Sequence, residues 1–351
     1  MRRNTLLYIM LLSALGTVNA MAQTYVAVDL GALPPGSARV HHLNSLGQVV
    51  GAAGHAHGAN TRAFFWQAAG GMRDLSTPFS GDYSVAFSIN DSGQIVGAYN
   101  AERGMRAFLW AREKGFTDLG TLPNETSSVA YDINAIGQIA GVSGTHAVLW
   151  SHDHIQDLGT LGGQNSEAHS INNTGWIAGV ADTIHGRHAF LWSDNIMKDL
   201  GTLPGDSGSH ANCVNDQGVV AGTSEGSGGT RPFLWTTDKG MQPLAVLAGA
   251  DYSEAFALNN HGLIVGQSNT ALGMRAVVWT SSTQITDLNE VVTGLPLGVV
   301  LTGAFAINDK GQIAAYGLVH PGVSKHQQVQ MDNHAHAGST HAFLLTPQAS
   351  R

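Results

Sequence analysis

Hydrophobic residues in this chain come in short runs that alternate with smaller or polar neighbours, and the runs are cut by Gly, Asn, Asp and Ser. Ala86-Phe87-Ser88-Ile89 stops at Asn90, and Gln94-Ile95-Val96-Gly97 follows after a turn. Period-2 runs bounded by turn residues predict strands, and no stretch carries the wider spacing of an amphipathic helix. Read this way, Ala86 and Ser88 fall on one face of their strand and Phe87 and Ile89 on the other, a flat face and a bulky one suited to sheet stacking.

The pattern repeats. An Asn-x-x-Gly turn recurs with Asn at 44, 90, 134, 172, 215, 259 and 308, a spacing of 38 to 49 residues, which is the size of a four-stranded propeller blade. Ala stands four residues before the Asn in six of seven units, and Ile, Leu or Val stands immediately before it in all seven. Asn opening the turn and Gly closing it fit a type I turn ended by a left-handed residue. A third strand ends in Trp, as in Ala107-Phe108-Leu109-Trp110, and a fourth ends in Asp-Leu, as in Thr117-Asp118-Leu119.

The ends are complementary. A fourth strand, Tyr25 to Leu30, precedes any first strand, and the last unit stops after a third, His341 to Leu345. Pairing the two closes a ring and removes the free sheet edge between the ends, whereas an open solenoid would need caps. The expected fold is all-β: a seven-bladed β-propeller of four-stranded blades, closed by the N-terminal strand completing the last blade. A β-solenoid and a large barrel are the alternatives.

Residues 1–22 read as a signal peptide and 23–351 as one seven-repeat domain. Met1-Arg2-Arg3 supplies a positive start, Leu6 to Leu15 an apolar core too short to span a bilayer comfortably, and Val18-Asn19-Ala20 and Ala20-Met21-Ala22 small-x-small cleavage sites. The expectation is export to the periplasm or the cell exterior, with no membrane span in the mature chain. Charged residues are 12% of the chain, about half the usual share. The formal charge is −8 with no basic run, so nucleic acid is not an expected partner. A single cysteine, Cys213, excludes an intrachain disulfide and reads as a buried apolar residue.

The Gly-Thr-Leu, Ile-Asn-x-x-Gly and His-Ala-Phe-Leu-Trp segments, the last nearly whole at His188–Trp192 and at His341-Ala342-Phe343-Leu344, resemble the HAF-repeat family. The resemblance spans about residues 28 to 346 and implies an exported bacterial repeat protein of unsettled function. Two departures lie in the seventh unit, Leu345 in place of Trp and Ala315 in place of Gly.

Several polar features recur and read as scaffold. Arg62, Arg106, His146, His188, Arg231, Arg275 or His341 enters each third strand, and Asp74, Asp118, Asp157, Asp199, Pro243, Asp287 or Asp29 ends the fourth. These pair across adjacent strands, and Pro243 predicts a different partner for Arg231. The Asn-Asp pairs at 90–91, 215–216 and 308–309 lack the alternating acids of a calcium loop. His334 and His336, in a long insertion of the seventh unit, and His55 and His57, in the equivalent loop of the first, are the candidate metal ligands, for Zn²⁺ or Cu²⁺. An incidental polar loop is the competing reading.

There is no zincin helix or phosphate loop. Glu167, Glu254 and Asp251 stand near strand entries, where a channel position and a solvated rim fit equally. The expectation is a monomeric, non-catalytic binding module for an extracellular glycan or protein, with a carbohydrate-active propeller enzyme (glycosidase or lyase) as the alternative.

Overall fold

The computed structural model describes residues 23–31, 33, 37–54, 61–75, 83–152, 154–319 and 339–349. They form a seven-bladed β-propeller of antiparallel four-stranded blades, one of which carries an extra two-residue strand. The second blade shows the plan: Ser84–Ile89 innermost, then Ile95–Ala101, Gly104–Ala111 and Gly115–Asp118 outermost. The seventh blade is built from both ends of the chain. Val299–Ile307, Ile313–Val319 and Ser339–Pro347 are followed outward by Tyr25–Gly31, paired antiparallel with Tyr25 opposite Pro347 and Asp29 opposite Phe343. Val292–Thr293 adds a short parallel edge beside Tyr25.

The core is divided among the blade interfaces. Seven hydrophobic clusters are each drawn from two adjacent blades, such as Val50, Ala63 and Leu75 of blade one against Ile89, Ile95 and Phe108 of blade two. Phe64, Phe108, Phe190, Phe233 and Phe343 of the third strands are fully buried, each worth roughly 2–3 kcal/mol of transfer free energy.

The recurring Asn closes the ring. Asn90 Oδ1 accepts from the amides of Ser92 and Gln94, and Asn90 Nδ2 donates to Gln94 Oε1 and, across the blade boundary, to the Asn134 carbonyl. The same inter-blade bond runs from every Asn to the next, at 2.8–3.3 Å, and returns from Asn308 to the Asn44 carbonyl. Gly93 accepts the φ of +75° that ends the turn while its amide donates to the Asn90 carbonyl. A second staple was not foreseen from the sequence. Ser84, Ser128, Ser166 and Ser209, early in their first strands, each accept from an alanine amide on the third strand of the preceding blade, at 2.8–3.0 Å.

Strict alternation along the first strand does not hold. Each first strand bulges three residues before its Asn, as between Ala86 and Ser88. Ala86, Ser88 and Ile89 are all buried, and the bulged Phe87 is turned out of the sheet. A bulge inserts one unpaired residue and re-aims its side chain; here it turns toward the propeller axis.

The outer charge pairs follow the expected register. Arg62–Asp74, Arg106–Asp118, His146–Asp157, His188–Asp199, Arg275–Asp287 and His341–Asp29 lie at 2.8–3.5 Å. Arg231, in the blade where Pro243 takes the place of the acid, turns instead to Asp206 at 2.8 Å and to the Pro204 carbonyl. In six blades the second strand has Gly where a Cβ would collide with a first-strand carbonyl, as Gly97 would with that of Val85. Blade seven has Ala315 there, and its first strand carries a second bulge between Leu301 and Gly303.

Candidate functional site

The bulged residues meet on the axis: His41, Phe87, Tyr131, His169, Asn212, Phe256 and Phe305, one per blade. Six of the seven carry rings. His41 meets Phe87 edge-on at 5.2 Å, Phe87 meets Tyr131 at 5.3 Å, and Tyr131 meets His169 edge-on at 5.5 Å. On the far side Phe256 stacks on Phe305 at 4.5 Å and Phe305 on Tyr316 at 4.8 Å. Asn212 interrupts this girdle, its amide donating to the Ala255 carbonyl.

Between the girdle and the Asn turns lies a cavity of about 340 Å³. Asp132 fixes part of its wall by accepting from Ser88 Oγ at 2.7 Å, Ser170 Oγ at 3.1 Å and the Ile171 amide at 2.9 Å. The floor carries further inter-blade bonds through the residue after the Asn, among them Ser45 to Asp91, Asn173 to Asp216 and Asn260 to Asp309. The Asn-Asp pairs thus also tie neighbouring blades, a role that turn chemistry within one unit does not predict.

Beyond the girdle, two residues further from each Asn, the first strands present Arg39, Val85, Val129, Glu167, His210, Glu254 and Gly303. Blades two and three are apolar at this level and blade seven has glycine, while Arg39, Glu167, His210 and Glu254 form a polar arc. Glu167 accepts from Arg187 at 2.9 Å and lies 3.5 Å from His169 Nε2, while Arg187 also reaches Asp182 at 3.4 Å. The His169 hydrogen bond above all, helped by the Arg187 guanidinium, holds the Glu167 carboxyl at about 2 against the opposing cost of burial. Burial lowers the pKa of His210 and so favours its neutral form. Gln267 donates to Glu254 at 2.6 Å, and burial followed by the bond to Glu254 pushes the Tyr252 hydroxyl up. Arg39 sits 6.0 Å from the centre of the Tyr316 ring. In the girdle, desolvation and then the Arg39 charge bring His41 down to about 4, and desolvation raises Tyr131 to about 12.

Glu167 and Glu254, which the sequence left open between channel and rim, line the channel, half-buried. Asp251 is exposed and binds the Asn269 amide in a loop, a rim position. Cys213 is buried in the interface between blades five and six, and desolvation raises its thiol to about 12. The four candidate metal ligands, His55, His57, His334 and His336, lie outside the described residues, as does the candidate signal peptide. Among the described residues, no three or more His, Cys, Asp or Glu side chains are grouped to hold a metal, and no helix is long and apolar enough to cross a membrane.

The girdle was hidden from sequence reasoning because the bulge shifts each ring off the face that alternation assigns it. One signal was available. His41, Phe87, Tyr131, His169, Asn212, Phe256 and Phe305 hold one repeat position and, unlike the Asn, Gly and Ala around them, change from unit to unit.

No protein-family model matches the chain, and no curated protein is similar to it. Solved structures do match. Selenomethionine-substituted virginiamycin B lyase from Staphylococcus aureus aligns over 92% of this chain and 99% of its own, with 13% identity and a TM-score of 0.56. The same lyase as a catalytically inactive variant with quinupristin gives 12% identity over 92% of this chain and 99% of its own, with a TM-score of 0.58. A streptogramin B lyase gives 11% identity over 93% of this chain and 98% of its own, with a TM-score of 0.54. At these identities the likeness shows the propeller fold.

Proposed function

We propose that this protein is an exported, non-catalytic binding module that takes its ligand in the axial channel, at the aromatic girdle and the polar arc beyond it. The observation that carries the reading is where the repeats diverge. Turn Asn, closing Gly, stapling Ser and outer charge pairs recur because each blade needs them. The two positions facing the channel instead run His, Phe, Tyr, His, Asn, Phe, Phe and Arg, Val, Val, Glu, His, Glu, Gly. A scaffold demands sameness from its blades, whereas a ligand, which lacks sevenfold symmetry, demands difference. Apolar rings with a few convergent polar groups are the usual composition of a small-ligand site. The N-terminal segment 1–22 would carry the chain out of the cytoplasm, in keeping with the resemblance to the HAF-repeat family.

Binding is preferred to carbohydrate cleavage because of the state of the carboxylates. A glycosidase needs one carboxyl kept protonated as acid and a second ionised as base or nucleophile. Glu167 is driven the other way, to about 2, and Glu254 is engaged by Gln267 and Tyr252. The test is a thermal-shift screen of the purified protein against glycan, peptide and metabolite sets, repeated on Phe87→Ala. A ligand that raises the melting temperature of the parent and not of the variant supports the channel. A ligand equally effective on both places binding elsewhere and overturns the reading.

A further inference from the structure

The channel has a chemical bias. On one side the girdle presents ring faces and edges from His41, Phe87 and Tyr131, with Val85 and Val129 beyond them. On the other stand planar, hydrogen-bonding groups already aligned in pairs, Glu167 with Arg187 and Glu254 with Gln267. A pyranose ring has the same duality, an apolar C–H face and a rim of hydroxyls that each donate and accept. Aromatic surfaces cover the face, and carboxylate, guanidinium and amide groups satisfy neighbouring hydroxyls two at a time. The 340 Å³ cavity lies across the girdle from these pairs, lined by the rings and the Asn turns; it is at the lower end of the roughly 300–1,000 Å³ of small-ligand sites, so it would take only the tip of a chain whose next residue meets the pairs.

Charge narrows the class further. The carboxylates acting on this mouth are Glu167, Asp182, Glu225 and Glu254, and the cations are Arg39 and Arg187. Burial keeps His210 from adding a third positive charge. A mouth with surplus negative charge repels acidic sugars and accepts neutral or amine-bearing ones. Asn212, in blade five, is the girdle position without a ring, and its side chain is tied back to the Ala255 carbonyl.

We infer that the channel, resting on the binding reading above, holds the terminal residues of a neutral or amine-bearing carbohydrate chain, with the non-aromatic Asn212 position as its entry. A glycan array of neutral, amino and acidic oligosaccharides, run beside a tetrapeptide library, identifies the class. Isothermal titration of the hits follows on the parent, Asn212→Phe and Glu254→Gln. The expected result is binding of neutral or amino glycans, lost on Asn212→Phe and weakened about tenfold by Glu254→Gln, which removes one charged acceptor. The Glu254→Gln titration carries the test should Asn212→Phe not fold, as judged by its thermal melt. A blank glycan array, a preference for acidic sugars, or unchanged affinity in Glu254→Gln overturns the inference. A tetrapeptide that Asn212→Phe displaces overturns the ligand class and leaves the channel standing. A ligand that a folded Asn212→Phe binds as well as the parent overturns the channel itself.

Discussion

Asn90 is the most direct test of how the ring is held shut. Its side chain makes four hydrogen bonds, two accepted from the Ser92 and Gln94 amides and two donated to Gln94 Oε1 and the Asn134 carbonyl. The residue is 5% exposed, so water does not replace them. At about 1 kcal/mol net per bond, Asn90→Ala is expected to cost roughly 3–4 kcal/mol, a fall of about 5 °C in melting temperature for a chain of this size. Asn90→Asp separates the two halves of the role. Its carboxylate keeps both accepted bonds but turns negative charge toward the Asn134 carbonyl, so at pH 7 it too is destabilised. Such a carboxyl has a folded pKa above its unfolded one, so the native state binds the proton more tightly and the Asp variant recovers stability as pH falls toward 4. Protonated, it regains a donor. Calorimetric melts of parent, Ala and Asp proteins at pH 7 and pH 4.5 decide the matter. A shift under 1 °C for Asn90→Ala, or an Asp variant tracking the Ala variant at both pH values, would refute the inter-blade role.

Acid should reach His41 before it reaches Glu167. His41 has a folded pKa near 4 against an ordinary 6.5, so the unfolded chain takes up a proton that the native chain refuses, and stability falls as pH drops from 6.5 to 4. The ceiling is about 3 kcal/mol at 1.4 kcal/mol per unit, reduced because the half-buried ring meets channel solvent. Melting curves of His41→Phe should flatten in that window, and an unchanged slope would contradict the assignment. Glu167, lowered to about 2 from 4.5, contributes stability that is lost only below 4.5, so Glu167→Gln should alter the curve there and not above. Gly97→Ala drives a Cβ into the Val85 carbonyl and should cost about 1–3 kcal/mol or more in urea titration, whereas Ala315→Gly, at the bulged blade, should cost about 0.5–1 kcal/mol. Cys213, buried with its thiol raised to about 12, should resist a thiol reagent in the native protein and react on unfolding. Prompt labelling of folded protein would mean that the interface between blades five and six opens.

Much of the architecture was legible because each blade states it in local terms. Asn44 and Gly47 encode a turn through four consecutive residues, and Arg106 and Asp118 pair across a short hairpin. Seven copies make such signals unmistakable even where one fails, and the failure at Pro243 redirected Arg231 as expected. The complementary strands Tyr25–Gly31 and Ser339–Pro347 then left ring closure as the arrangement without a bare edge.

The site was decided by contacts that no local window contains. Phe87 belongs by alternation to a buried face; the bulge between Ala86 and Ser88 sends it to the axis instead. His41, Phe87, Tyr131 and His169 are roughly forty residues apart in sequence and ring to ring in space. Glu167, for which the sequence fitted channel and solvated rim equally, owes its setting to Arg187 and His169, both supplied from outside its local window or by the fold. Repetition, turn chemistry and complementary ends, read from the sequence alone, thus determined a seven-bladed closed ring, since each depends on residues adjacent in the chain or on copies of one unit. Which side chains face the channel, and in what charge state, only the tertiary structure decided, because burial and inter-blade distance set both.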